Sequence, residues 1–451
     1  MRVGRWFVLA AALALIALRA PRLLLRPRLW AEEGSDFFHN AWHSSFWSAI
    51  VFTEPEAAGY LNLAANLPAA IAAHTVALET VPLVFTASSL LPLLLSISII
   101  LFGRSLIWNT PGRQVVAIAI LLFCPAATGE VWLNSINAQI YWGFAGLCIL
   151  CEDLDDRSPG AVAIFLATLV VGGLSGAYTN FLLPAFAFKA LRERGHVVYA
   201  AIAILVFTTA IQVAFVLWSD ALGLRSDRWQ GLPPDWARAI AHSLYAQIAV
   251  PLVGRDIGRW VANYAGAVAT LTWLSAILLA VLAVGSAALV FERRRGAPSH
   301  LLVVAFASLA VATTLSAQDS LAGGRYAVLP GFTLLLILMD QTSDRQEGWR
   351  RACAGGLVAL SLAIGVLGYQ KDPAFSCPVV CPDWHEEVAR WRRDADTPMR
   401  IWPYRYRAVW TVRLDPERGR PGTPGAAHGN LQFPSVRPPE TSQPSPTEEK
   451  P

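Results

Sequence analysis

Apolar residues run through this chain in long, almost uncharged blocks. The stretch VPLVFTASSLLPLLLSISIILF, residues 81–102, holds no charged residue. Comparable runs recur at about 5–25, 114–130, 137–151, 159–172, 177–190, 197–218, 260–291, 299–317, 326–340 and 352–369. About 18 or more apolar residues are enough to cross a bilayer as a helix. In lipid, every backbone polar group must bond within its own segment, so these runs predict helices. The pattern therefore predicts an all-α integral membrane protein of about eleven transmembrane helices.

The interruptions are as informative as the runs. Residues 57–77, AAGYLNLAANLPAAIAAHTVA, are broken by Asn62, Asn66, Pro68 and His74. Counting them as a span disturbs the charge parity of every later loop, so they predict a re-entrant or interfacial helix in the first outer loop. A second outer segment, about 219–259, contains the amphipathic DWARAIAHSLYAQIAVPL. Residues 371–414 turn polar and aromatic, with a helical DWHEEVARWRR followed by IWPYRYRAVWTVRL, which predicts a strand or two. This is a small outer module, too short for much core of its own. From about 415 to 451, Pro, Gly, Ser and charge dominate, which predicts disorder. The expected division is thus a membrane core at 1–370, the module at 371–414 and a tail at 415–451.

Composition agrees with the pattern. The 451 residues are 55% hydrophobic and 15% charged, against roughly 25% charged in soluble domains. The net charge of +4 comes without a dense basic stripe, which argues against a nucleic-acid partner. Positive residues orient the spans. One set of loops holds Arg104, Arg113, Arg157, Lys189, Arg192, Arg194, Arg293 to Arg295, Arg345, Arg350 and Arg351. The alternate loops TGEVWLNSIN and GGLSGAYTN hold no Lys or Arg. The N-terminus is then cytoplasmic, and loop 26–80 and the C-terminus face outward. Arg19, Arg22, Arg26 and Arg28 close the first span on the wrong side for this rule. Either they snorkel to anionic lipid or that span is inverted. The opening MRVGR with WFVLAAALALIAL reads as an uncleaved signal anchor, with a cleaved leader as the alternative. Cys124, Cys148, Cys151 and Cys353 lie in or beside apolar runs and read as packing residues. Cys377 and Cys381, in CPVVC, are expected outside, either as a small disulfide loop or as two free thiols.

Candidate chemistry gathers in RLWAEEGSDFFHNAW, residues 28–42. On a helix, Glu32, Asp36, His39 and His43 share one face, and Phe38, Trp42 and Phe46 form an adjacent apolar stripe. Such a helix would lie flat on the membrane, aromatics down. Three readings stay open: a solvated face, a metal site at His39 and His43, or a carboxylate that accepts a substrate proton. Asn134, Asn137, Gln139 and Tyr141, in WLNSINAQIYW, sit at a helix mouth, as either a cap or hydrogen-bonding partners of a substrate. Tyr178 and Asn180, in SGAYTNFLLP, carry the same two readings, while Arg255, Asp256 and Arg259 read as a surface ion-pair cluster.

A signal anchor followed at once by an outward acidic pair, here Glu32 and Glu33 within WAEEG, resembles the GT-C superfamily of membrane glycosyltransferases. GYLNLAANLPAAIA resembles the stretch that follows the acidic loop in poorly characterised bacterial relatives. AGGRYAVLPGF, Ala322 to Phe332, resembles the family's late outward loop with Arg-Tyr and then Pro. The chain departs from many relatives in carrying Glu twice where they have Asp. The resemblance implies a bacterial plasma-membrane enzyme that takes a sugar from a polyprenyl-phosphate donor to a glycan or lipid acceptor, with inversion. It implies Glu33 as general base, assisted by Glu32 or Asp36, and Arg325 with Tyr326 at the donor phosphate. An arginine suits that task through its fixed fork of donors. Tyr60, Asn137 and Gln139 would bind substrate. No P-loop or GxGxxG is present, so no nucleotide is expected, and the resemblance leaves a divalent metal open. The alternatives are a transporter or flippase and a polymerase of lipid-linked glycans. A transporter is expected to show broken helices paired in two matching halves, and the sequence shows no such half-repeat.

Overall fold

The structure is a computed structural model. It describes residues 2–53, 59–105, 107–126, 129–221, 236–275, 277–278, 281, 298–316, 324–343, 348–370, 382–403 and 409–416. The Cys377 and Cys381 pair lies outside the described residues, as do most of the expected tail and the arginines at 293–295. The chain divides into two units, Met1–Leu414 and Asp415–Pro451. Only Asp415 and Pro416 of the second are described.

The first unit is helical. Among the described residues, three helices are long and apolar enough to cross a membrane: Leu78–Phe102, His196–Ser219 and Gly348–Leu367. Shorter apolar helices span Pro111–Phe123, Ala138–Leu150, Pro159–Leu174 and Ser299–Leu315.

Prolines mark three places where the helices depart from the expected runs. The run at 5–25 is two helices, Arg2–Arg19 and Pro21–Leu25, with Ala20 between them at φ −143. Pro21 has no N–H to give the preceding turn, so it opens a new helix instead of continuing the old one. The run at 114–130 ends at Phe123. Cys124, which precedes Pro125, is turned out of the helix at ψ 123. Pro184 likewise delays the run at 177–190, which becomes a 3-10 turn at Asn180–Leu182 and then the helix Leu183–Glu193.

Helix Ala138–Leu150 is the hub, with every one of its residues buried. It packs on helices Val81–Phe102, Pro159–Leu174 and Val328–Gln341. Gly143 permits a close approach to helix Val328–Gln341, since a Cβ there would sit 2.7 Å from Leu329 Cδ2.

A second apolar cluster corrects the expectation that the aromatics of residues 28–46 point into lipid. Phe37, Phe38 and Trp42 are buried against Leu78, Val81 and Phe85 from one side. Trp384, Val388, Trp391, Met399 and Ile401 cover the other. The Trp42 and Trp391 rings meet edge to face at 6.4 Å, and the Trp384 indole donates to the Leu78 carbonyl at 2.7 Å. An apolar stripe requires cover but does not say which cover. Here helix Trp384–Arg393 supplies it. The amide of Ala31 donates to the Trp402 carbonyl at 2.6 Å, and strands Met399–Arg400 and Thr411–Val412 pair antiparallel beside it. The described part of the 371–414 module thus shares one core with the segment that follows the first helices.

Arg19, Arg26 and Arg28 each lie against groups of the protein. Arg19 is 5% exposed. Its guanidinium lies 4.2 Å from the Trp132 ring and 4.9 Å from the Tyr369 ring, and it donates to the Leu122 carbonyl. Arg26 pairs with Asp383 at 3.8 Å, and Arg28 stacks on Trp30 and Trp402. Aromatic faces attract a desolvated cation, so Arg19 and Arg28 are held by rings of the protein itself.

Candidate functional site

The loop 129–137, which feeds the buried hub helix, organises the site. Asn134 Oδ1 accepts the amides of Ile136 at 2.9 Å and Asn137 at 3.2 Å, the turn that short amide side chains favour. Asn137 Nδ2 reaches back to the Glu130 carbonyl at 3.2 Å. Asn62 Nδ2 donates to the Ile136 carbonyl at 3.1 Å. Gln139 Nε2 donates to that same carbonyl at 3.2 Å and to the Tyr60 hydroxyl at 2.9 Å. Leu133 takes φ 48, the left-handed region that a branched side chain rarely adopts.

Arg325 stands on one flank, in the 3-10 turn Arg325–Ala327 that opens helix Val328–Gln341. Its guanidinium is 3.5 Å from Glu130 Oε1 and 5.5 Å from the Tyr326 ring centre. Tyr178 and Tyr60 lie within its electrostatic reach. The arginine keeps 29% of its side chain exposed and Glu130 keeps 47%. The pair is therefore long and open to water, the kind that contributes little on its own.

Glu33 stands on the other flank, in the wide π-helical turn Glu33–Phe38. Only 2% of it is exposed. Its Oε2 accepts the Trp30 amide at 2.8 Å and its Oε1 accepts the Ser135 amide at 2.6 Å. Burial pushes its carboxyl above the ordinary range. The amides of Ser135 and Trp30 and the charge of Arg28 pull it back only in part. Glu32 and Asp36 are both half-buried, and the Ser35 hydroxyl donates to Asp36 Oδ2 at 2.5 Å. His43 Nδ1 is 2.8 Å from the His39 carbonyl, and the two rings meet tilted, with centres 4.5 Å apart. Among the described residues, no cluster of three or more His, Cys, Asp or Glu groups is poised to hold a metal ion.

Of the residues expected from sequence, the structure gathers Arg325, Tyr326, Tyr60 and Gln139 around one side of this loop. Asn137 lies inside the loop, 3% exposed, with its amide turned back on the backbone. The acidic stretch meets the loop through Glu33 and Ser135. Glu130 was missed in the sequence. Its signal there was position, as the one charged residue in the otherwise neutral TGEVWLNSIN.

No family model, no curated protein and no solved structure matches the chain.

Proposed function

We propose that the chain is a membrane glycosyltransferase of the GT-C kind, with its long and short apolar helices together forming a multi-span bundle of about eleven crossings. It would sit in a bacterial plasma membrane with the first loop and the C-terminal module outside. The observation that carries this reading is the setting of Arg325, a part-exposed guanidinium loosely paired with Glu130, beside the Tyr326 ring and within the electrostatic reach of Tyr178 and Tyr60. A lipid phosphate offers that fork two charge-assisted hydrogen bonds where Glu130 now offers one long contact. Tyr60 and Gln139, already joined at 2.9 Å, supply a hydroxyl and an amide for the hydroxyls of a donor sugar.

In the reaction, an acceptor hydroxyl attacks the anomeric carbon as the bond to the lipid phosphate breaks. The phosphate leaves with the electron pair, and the hydroxyl proton goes to a carboxylate. In-line inversion places that carboxylate away from the leaving phosphate. Glu130, beside the phosphate-binding Arg325, is on the wrong side. Asp36, with Glu32 assisting, keeps open surface and takes the role of proton acceptor. Arg325→Lys keeps the charge but loses the fork. Loss of one charge-assisted bond should raise the KM for donor by roughly ten- to a hundredfold.

The test is to reconstitute the purified chain with a panel of polyprenyl-phosphate hexoses and pentoses and to measure release of polyprenyl phosphate. Release that depends on Arg325 is the expected result. Donor binding without release, at any acceptor offered, would sink the enzyme and favour a carrier of lipid-linked glycans.

A further inference from the structure

The acidic pair does not look outward as one unit, and the reason lies in Glu33. It is almost wholly buried, and each of its oxygens is already engaged by a backbone amide from a different segment. One amide, of Trp30, belongs to the first outer loop. The other, of Ser135, belongs to the loop that carries Glu130 to Arg325. A carboxylate so placed has little room for a substrate hydroxyl and a clear mechanical task.

Backbone strain marks the same two segments. Ala31 takes φ 43 and Leu133 takes φ 48. Each lies two residues before a partner in the contact, Ala31 before Glu33 and Leu133 before Ser135. Left-handed conformations at non-glycine residues persist only where the surroundings over-determine them, and they cluster at functional sites. The Glu33 carboxylate is the contact that spans both strained turns. Beyond Ser135, the restraint continues through Asn134 and Asn137 to the Glu130 carbonyl, and so to the carboxylate facing Arg325.

We propose that Glu33 is a positioning residue and not the proton acceptor. Its carboxylate pins loop 129–137 in the strained form that presents Glu130 to Arg325, and so sets how the site receives an anionic group. The activity side of this proposal rests on the transferase reading above, whereas the pinning side does not.

Glutamine separates the two roles by chemistry. Glu33→Gln keeps size and shape but replaces one acceptor oxygen with an NH2. Either the Trp30 amide or the Ser135 amide must then face a donor. Glu33→Asp keeps both acceptor oxygens on a stem one methylene shorter.

The experiment is hydrogen–deuterium exchange on the full chain in detergent, read in peptides covering 129–137 against peptides of helices Val81–Phe102 and Ala138–Leu150. It is paired with binding of farnesyl phosphate, using farnesol as control. Glu33→Gln should raise exchange in 129–137 by roughly tenfold, the loss of one charge-assisted hydrogen bond. The two helices should remain protected, and farnesyl phosphate should bind more weakly while farnesol binding is unchanged. Glu33→Asp should fall between wild type and Gln, and it carries the same comparison if the Gln variant does not fold. Unchanged exchange in 129–137 would overturn the proposal, whatever happens to activity. Unchanged exchange together with a transfer rate lowered a hundredfold or more would return Glu33 to the role of base. If wild type binds no farnesyl phosphate, the donor reading fails, and the exchange data still decide the pin.

Discussion

Two buried glutamates stand at opposite ends of the hub helix, and they are held in opposite ways. Glu33 meets the loop that leads into Ala138–Leu150, and Glu152 follows its far end, some 20 Å away for thirteen helical residues. Glu152 is fully buried and paired with the Arg157 guanidinium. It also accepts the Arg104 amide at 2.6 Å, and the Lys189 ammonium donates to its carbonyl at 2.9 Å. Glu33 has peptide amides and only the more distant charge of Arg28. A buried ion pair whose carboxylate also accepts a backbone amide fixes one arrangement, because losing either partner strands a charge. A carboxylate on two peptide amides joins two loops at lower cost and leaves both able to shift. The first design closes an end of the bundle. The second lies where the candidate site must receive a ligand.

The largest effect should come from the Glu152 end. Arg157→Met leaves a buried carboxylate without its closest cation and should cost about 3–5 kcal/mol at pH 8, read by thermal unfolding in detergent. Burial pushes the Glu152 carboxyl up to about 7 from an ordinary 4.5, with Arg157 opposing the rise. The contribution of a raised carboxyl to stability is complete below the unfolded value and is lost as pH rises through the folded one. Between pH 4.5 and about 7 the wild type should therefore lose stability from this group. The Arg157→Met penalty should shrink at pH 5.5, where Glu152 is mostly neutral. A penalty equal at both pH values would mean that Glu152 is not what Arg157 serves.

Glu33→Gln should cost less, about 1–3 kcal/mol, since one buried amide loses its acceptor while no formal charge is stranded. If it cost as much as Arg157→Met, the contrast between the two ends would collapse.

Much of the helical frame was legible in the chain. Residues 81–102 form one helix at the expected bounds because a continuous apolar run there ends at Gly103. At three of the slips a proline intervened, Pro21, Pro125 and Pro184, whereas the expected run at 260–291 starts early and breaks at Val268 without one. The placement of Arg325 was legible too, because GRYAVLP puts a cation beside a helix start. The acidic side was not. The amide that fills Glu33 Oε1 comes from 102 residues away. The cover over Phe38 and Trp42 comes from tryptophans more than 300 positions later in the chain. Helical periodicity showed that those aromatics needed an apolar partner. It carried no information on whether lipid or another segment would provide one.

The smallest expected effect on stability is also the one that most sharpens the comparison. Asp36 shares the π-helical turn with Glu33 but is half-buried, not buried. Its bond from the Ser35 hydroxyl can be kept by an amide oxygen. Asp36→Asn should therefore change unfolding stability by no more than about 0.5 kcal/mol. It should also leave exchange in 129–137 as in wild type, because no step of the Glu33–Ser135 link passes through it. If Asp36 accepts the proton of the acceptor hydroxyl, transfer should still fall by roughly 10²–10⁴ with donor KM little changed. Neighbouring carboxylates would then divide cleanly, Glu33 moving the loop and Asp36 moving the rate. A wild-type transfer rate in Asp36→Asn would remove the base from this turn, and the search would pass to Glu32, the other half-buried carboxylate of the pair.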